Sequence, residues 1–116
     1  MGGTIALKEY IKGGALTEST YLTLLALYTP RHGYEMMKFI KECTHGRVVL
    51  GAGTLYGAVH ALEKKQLIAL VSSEAADKKV YQITETGRQV VEQELLRLKQ
   101  IHALGVQIVY GGEQHE

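Results

Sequence analysis

The chain has 116 residues, of which 46% are hydrophobic and 22% are charged, and its formal net charge is +1. This length predicts one domain with a modest core, and the composition excludes a disordered protein and a membrane protein. The small net charge gives no global attraction for nucleic acid, so any DNA contact must come from a local patch. Cys43 is the only cysteine, which excludes an intrachain disulfide and a multi-cysteine zinc site.

Four helices are predicted in the first half of the chain. Residues 4–12 carry apolar side chains on one helical face and predict a short docking helix. Thr17 can cap a second, mostly apolar helix that Pro30 stops. Residues 34–43 form an amphipathic pattern, and a further helix is predicted from about residue 52 to residue 65. Three core-forming helices therefore follow one another after the opening segment.

The second half of the chain predicts a hairpin and one long helix. LIALVSS and KKVYQIT, separated by EAAD, have the length and alternation of two paired strands. Thr84 can cap a final helix of about 25 residues, whose apolar positions a small domain cannot cover alone. We expect a second copy of the chain to cover them. The predicted dimerisation residues are Val91, Leu95, Leu98, Ile101, Leu104 and Ile108.

This order of elements is that of a winged helix-turn-helix. The predicted fold class is mainly α with a β-hairpin, a winged helix-turn-helix followed by a long C-terminal dimerisation helix. Residues 1–84 would form the N-terminal segment and the DNA-binding domain, residues 85–110 the dimerisation helix, and residues 111–116 a tail.

The helix predicted from residue 52 is the candidate DNA-contacting helix. At about 100° per residue, its core side carries Leu55, Ala58, Val59 and Leu62. Its outer side carries Gly53, Tyr56, Gly57, His60 and Lys64. Two glycines beside an aromatic ring let a phosphate backbone approach and leave polar side chains free to reach DNA. The alternative is structural: Gly53 begins the helix, Gly57 packs against a neighbour, and Tyr56 is half buried.

Basic residues elsewhere can extend this surface. Lys78 and Lys79 lie beside the predicted hairpin turn and suit phosphate contact by a wing. Arg47, Lys38 and Lys41 can enlarge the patch, although exposed lysines of an amphipathic helix are commonly only solvated.

Three stretches of the chain resemble the PadR family of bacterial regulators. LTESTYLTLLALYTPRHGYEMMKFI, GAGTLYGAVHALEKKQLI and KKVYQITETGRQVV have the order and spacing of the family's signature stretches, over roughly residues 16–91. The resemblance implies that the helix bearing GTLY, with Thr54 and Tyr56, contacts DNA and that the hairpin is the wing. The HGY turn of the family matches residues 32–34. Gln66 stands where the family favours glycine, a position suited to left-handed backbone.

The resemblance also implies a function. A short-tailed PadR regulator is expected to be a dimeric, sequence-specific repressor of double-stranded DNA that a small apolar or aromatic effector releases. The chain lacks tryptophan, and although Tyr10, Tyr21, Tyr28 and Tyr110 could line a pocket, core packing is the favoured interpretation of each, so no effector site is assigned. The near-neutral charge keeps a second class open, a winged-helix module that binds another protein.

Catalysis is not expected from these residues. The five histidines lack metal-ligand spacing, the single thiol has no histidine at a motif distance, and GAGT does not continue as a phosphate-binding loop. We therefore expect no enzyme, no metal and no cofactor, and a redox role for Cys43 has little support. No apolar run spans a bilayer and MGGTIALKEY does not resemble a secretory signal, so we expect a cytoplasmic protein without membrane contact.

Overall fold

The computed structural model describes residues 15–75 and 78–111. In chain order the elements are α1 Glu18–Ala26, α2 Gly33–Cys43, α3 Ala52–Lys64, β1 Ile68–Ser73, β2 Lys79–Ile83 and α4 Glu85–Val106, followed by a π-helical turn, Gln107–Gly111. This order confirms the predicted fold class. The predicted helix at residues 4–12, the last two residues of the EAAD turn and the tail from residue 112 lie outside the described residues.

Side-chain caps explain where three of the helices begin. At the start of α1, the Thr17 side chain accepts a hydrogen bond from the backbone N–H of Thr20. At the start of α4, the Thr84 side chain accepts one from the backbone N–H of Gly87. Both caps were predicted. At α2, His32 and Glu35 form a reciprocal capping box, which the sequence analysis did not anticipate. Gly51 precedes α3 and supplies no side-chain cap.

The core lies between the helices and the inner side of the hairpin. Three of the four residues predicted on the core side of α3 are buried, and the fourth, Ala58, is half-buried. The other elements contribute aliphatic side chains and one tyrosine. The main core residues are Leu24, Leu27, Met36, Ile40, Leu55, Val59, Leu62, Leu67, Ile68, Tyr81, Ile83 and Val90.

The predicted hairpin is present and is attached to the loop before α2. β1 and β2 pair antiparallel, from Ile68 opposite Ile83 to Ser73 opposite Lys79, with a β-bulge between Leu70 and Ser72. Because Tyr81 and Ile83 are two residues apart, both face the core. The backbone of Arg31 exchanges two hydrogen bonds with Tyr81, at 3.1 and 3.0 Å, which holds the hairpin against the helices.

The end of α3 and the start of α4 are joined by a small group of hydrogen bonds, here called the junction and formed by Gln66, Leu67 and Thr84. The Thr84 N–H donates to the Leu67 carbonyl at 3.0 Å, and the Thr84 hydroxyl donates to the Gln66 carbonyl at 2.8 Å. Gln66 has φ +63°, the left-handed conformation expected of a position that favours glycine. The junction therefore fixes the direction of α4 relative to α3.

The first turns of α4 pack on the domain, and its remainder does not. Val91 is only 4% exposed, so its side chain is used in the chain's own core, and its dimerisation role stays a prediction. The other five predicted residues are exposed, and they are joined by four apolar side chains that were not predicted. The exposed apolar stripe of α4 and the turn after it comprises Leu95, Leu96, Leu98, Ile101, Leu104, Val106, Ile108, Val109 and Tyr110.

Glu94 marks the boundary between these two parts of α4. Its carboxylate is 6% exposed and accepts two hydrogen bonds from Arg97, at 2.8 and 2.5 Å. This bidentate pairing lowers the pKa of Glu94, with a smaller contribution from the backbone N–H of Leu16. The buried charge is therefore compensated, and it also ties the segment before α1 to α4.

Among the described helices, none is long and apolar enough to cross a membrane.

Candidate nucleic-acid interface

The outer face of α3 consists of the five residues predicted from helical spacing: Gly53, Tyr56, Gly57, His60 and Lys64. All five are exposed, as is Thr54 in the first turn. A Cβ atom built on Gly53 or Gly57 would have no atom of another part of the described chain within 4 Å. Among the described residues, Gly57 therefore has no neighbour to pack against. A glycine inside a helix costs about 1 kcal/mol relative to alanine, and no contact with the described residues explains that cost here.

Tyr56 has both an exposed and a packed side. The side chain is 48% exposed, and its hydroxyl lies so close to Gly33 that a Cβ on Gly33 would overlap it. The ring thus rests on the first turn of α2 and connects the two helices of the helix-turn-helix. Tyr56 is therefore exposed and in contact with α2 at the same time, and the exposed part of the ring belongs to the outer face of α3.

We expect Gly33→Ala to displace Tyr56 from its position on α2. The added methyl group overlaps the far end of the ring, which is half exposed and can turn toward solvent, so the overpacking costs about 1 kcal/mol, the lower end of the usual range. The free energy of unfolding in urea and the NMR shifts of the Tyr56 ring protons report the change. Gly53→Ala is the matched control because its Cβ meets open space. Equal stability of the two variants would contradict the packing described for Tyr56.

The basic residues near α3 differ in whether they are already paired. Arg47 forms a bidentate ion pair with Glu18, 29 residues earlier in the chain, and this hydrogen bonding lowers the pKa of the Glu18 carboxyl. Arg47 is thus engaged within the chain, whereas Lys38, Lys41 and Lys64 form no ion pair with the described residues. Sequence reasoning missed the pair because nothing local relates two positions so far apart.

The predicted wing residues lie at the outer end of the hairpin. Lys79 begins β2 and Lys78 precedes it, and both side chains are exposed. They are on a different element from the outer face of α3, and the hairpin is attached to the domain through the Arg31–Tyr81 backbone pairing. The predicted site is therefore distributed over two elements rather than gathered in one cluster.

The tyrosines considered for an effector pocket are not gathered in one place. Tyr21 on α1 and Tyr28 in the turn after α1 are both half-buried, and burial raises the pKa of both phenols. The Arg88 guanidinium lies 4.8 Å from the Tyr28 ring centroid, so Tyr28 packs against α4. Tyr110 is exposed on the turn after α4, and Tyr10 lies outside the described residues.

Metal and redox chemistry gain no site from this arrangement. Within residues 15–75 and 78–111, no three His, Cys, Asp or Glu side chains are placed to hold a metal ion together. Cys43 is exposed at the end of α2.

A protein family and one curated relative match the chain. The sequence model of the transcriptional regulator PadR-like family matches residues 21–93, more than half of the chain. An uncharacterized 37.1 kDa protein in transposon TN4556 of Streptomyces fradiae is 36% identical over 78 residues, which is 66% of this chain and 22% of that protein. The chain therefore spans about a fifth of the length of this relative.

Solved structures share the fold. A transcriptional regulator from Clostridium thermocellum is 26% identical, with a TM-score of 0.69, covering 87% of this chain and 95% of that one. A PadR family transcriptional regulator from Eggerthella lenta is 28% identical, with a TM-score of 0.62 and coverage of 78% and 81%. Bacillus subtilis PadR in complex with operator DNA is 20% identical, with a TM-score of 0.59 and coverage of 68% and 47%.

These similarities agree with the order of elements, the hairpin and the positions of the signature stretches. The matching family is one of transcriptional regulators, not of enzymes, in agreement with the expectation that the chain has no catalytic function. The chain belongs to the transcriptional regulator PadR-like family.

Proposed function

We propose that the protein is a homodimeric, sequence-specific DNA-binding repressor, which reads operator DNA with the outer face of α3 and releases it on binding a small apolar or aromatic effector. The observation that carries the proposal is the outer face of α3, where a half-exposed tyrosine lies between two glycines. A Cβ on either glycine would meet open space among the described residues. Because chromosomal DNA is in the cytoplasm of bacteria, the protein would act there.

The outer face of α3 suits the major groove for steric and chemical reasons. Gly53 and Gly57 allow a DNA strand to come close to the helix backbone, where a larger side chain would hold it away. Thr54, Tyr56 and His60 offer hydroxyl and imidazole groups that can hydrogen-bond to base edges or phosphates. Lys64 adds a charge at the end of the same face. α3 would thus allow DNA to come close to its backbone and would offer the hydrogen-bonding groups that base reading requires.

The wing and the α2–α3 loop would add contacts to the backbone of the DNA. Lys78 and Lys79 are exposed at the outer end of the hairpin, where a wing can reach phosphates or the minor groove. Arg47 can join them only by leaving Glu18 or by sharing its guanidinium with a phosphate. We therefore expect Arg47 to contribute less to affinity than the lysines do.

Dimerisation would use the exposed apolar stripe of α4. Monomeric soluble proteins rarely expose so many large apolar side chains on one segment, and pairing two α4 helices would bury those on the facing sides. Residues 1–84 would then form the DNA-binding unit, residues 85–110 the dimerisation helix and residues 111–116 the tail. The proposed effector release follows from the family resemblance, and its site is left unassigned.

The proposal is tested by fluorescence anisotropy with the duplex upstream of the protein's own gene, against a scrambled duplex, over a salt series. Selective binding whose affinity falls steeply between roughly 50 and 200 mM salt supports a DNA-binding regulator. Equal, weak binding to both duplexes would instead favour a winged-helix module for a protein partner, the alternative that the net charge of +1 leaves open.

Tyr56→Ala should weaken operator binding by roughly 10- to 100-fold, equivalent to about 1–3 kcal/mol for one base-reading contact. The dimer should remain folded because the ring is nearly half exposed. Tyr56→Phe is the matched comparison, since it keeps the ring and removes only the hydroxyl, the atom of Tyr56 that lies nearest to Gly33. Anisotropy and circular dichroism measure the two effects. If a folded Tyr56→Ala dimer kept its full affinity, Tyr56 would not belong to the DNA site.

A further inference from the structure

An open groove runs along α2, outside the face already described. It lies between α2 and the loop that leads into α3, and its volume is about 720 Å³. Its walls include the apolar side chains of Tyr34 and Val49, both more than 60% exposed, and the basic side chains of Lys38, Lys41 and His45. Glu42 is the one carboxylate that lines it. The groove is thus amphipathic, with an excess of cationic groups.

The charges in this groove point to a polyanion as its occupant. Lys38 and Lys41 lie on one side of α2, three residues apart, and neither forms an ion pair with the described residues. Both ammonium groups are therefore outside any ion pair of the described residues, although Glu42 lines the same groove, whereas Arg47 is paired with Glu18. An open groove also suits a chain that runs through it better than a small molecule that needs enclosure.

Residues that line the groove are next in the chain to residues that contact or begin α3. Tyr34 follows Gly33, the residue on which the Tyr56 ring rests. Val49 and Leu50 lead directly into Gly51 and the first turn of α3. A DNA strand lying against the first turns of α3 therefore has the groove beside it, and the sugars can contact Tyr34 and Val49.

We infer that the DNA backbone flanking the bases read by α3 occupies this groove, and that Lys38 and Lys41 each bind a phosphate there. Glu42 opposes the same phosphates and limits the sequence-independent part of the affinity. The inference rests on the proposed function and extends it from base reading to the path of the backbone.

The test measures the affinity of the full chain for the operator duplex and for a scrambled duplex over a salt series. Lys38→Gln and Lys41→Gln should each make the plot of log affinity against log salt shallower by about 0.9 per protomer, thus by about 1.8 in a dimer. The ratio of operator to scrambled affinity should stay the same, because phosphate contacts carry no base information. Lys99→Gln, at an exposed position on α4, is the matched control and should keep the wild-type slope.

Glu42→Gln gives a test of opposite sign on the same groove. Removing the carboxylate should tighten binding to both duplexes by about two- to fivefold, the size of an exposed charge interaction. The inference would be overturned if neither lysine variant changed the slope of log affinity against log salt, or if they changed it only as much as Lys99→Gln does. Weaker binding by Glu42→Gln would also overturn it.

Failure of the inference and failure of the proposed function give different results. Selective operator binding with slopes unaffected by Lys38 and Lys41 rejects the groove alone. Equal binding to both duplexes, with the slope still reduced by the lysine variants, rejects sequence-specific reading and keeps the groove. If the wild-type protein binds neither duplex, both are rejected.

Discussion

Deleting the residues after Leu98 is expected to convert the protein into monomers and to lower its operator affinity by about two to four orders of magnitude, the usual gain from linking two binding units. The deletion removes most of the exposed apolar stripe of α4 and leaves the core residues Val90 and Val91 in place. The monomer should therefore keep its fold. Sedimentation velocity and anisotropy measure the two effects.

A point substitution separates loss of pairing from loss of helix length. Ile101→Glu places a charge in the middle of the stripe and should also give monomers, whereas Gln100→Glu adds the same charge to a neighbouring, exposed polar position. A truncated chain that still sediments as a dimer would refute the role proposed for α4.

The largest expected effect on stability comes from Gly87→Ala. A Cβ on Gly87 would overlap the backbone carbonyl oxygen of Leu67 and approach the Ile83 side chain. The Leu67 carbonyl cannot move away freely because it accepts the Thr84 N–H in the junction. Overpacking of this kind costs roughly 1–3 kcal/mol, and because the obstacle is backbone we expect about 3 kcal/mol.

Gly57→Ala is the matched control for this substitution, since it adds the same methyl group to a helix in open space. It should stabilise the fold by about 1 kcal/mol through helix propensity. Urea unfolding of both variants measures the difference. Were Gly87→Ala as stable as the wild-type protein, the close contact between α4 and the end of α3 would be wrong.

The features that the sequence predicted correctly are those with local causes. The caps at Thr17 and Thr84, the core side of α3 and the alternation of β2 depend on residues within a few positions of one another. The left-handed backbone at Gln66 followed from one position of the family pattern. The DNA-contacting and dimerisation residues remain predictions.

The features that were missed depend on residues brought together by folding. The pairing of Arg47 with Glu18 joins the α2–α3 loop to the start of α1. The contact of Tyr56 with Gly33 joins α3 to α2. The burial of Val91 was not foreseen because helical periodicity does not distinguish an apolar side chain covered by its own domain from one left for a partner. The side-chain cap by His32 was missed because histidine is an uncommon residue at that position.

In the proposed dimer, the junction would couple the crossing angle of the two α4 helices to the distance between the two reading helices. α4 has 22 residues and is therefore about 33 Å long, at about 1.5 Å per residue. Because the junction holds its first turn to the end of α3, a rotation of about 5° between paired helices of this length moves the two reading helices relative to each other by about 3 Å, nearly the 3.4 Å rise of one base pair. Two operator half-sites one helical turn apart fit only one distance between the two reading helices. The crossing angle of the α4 pair would thus set which operator spacing the protein can bind, and a compound that changes this angle slightly would be enough to end that fit.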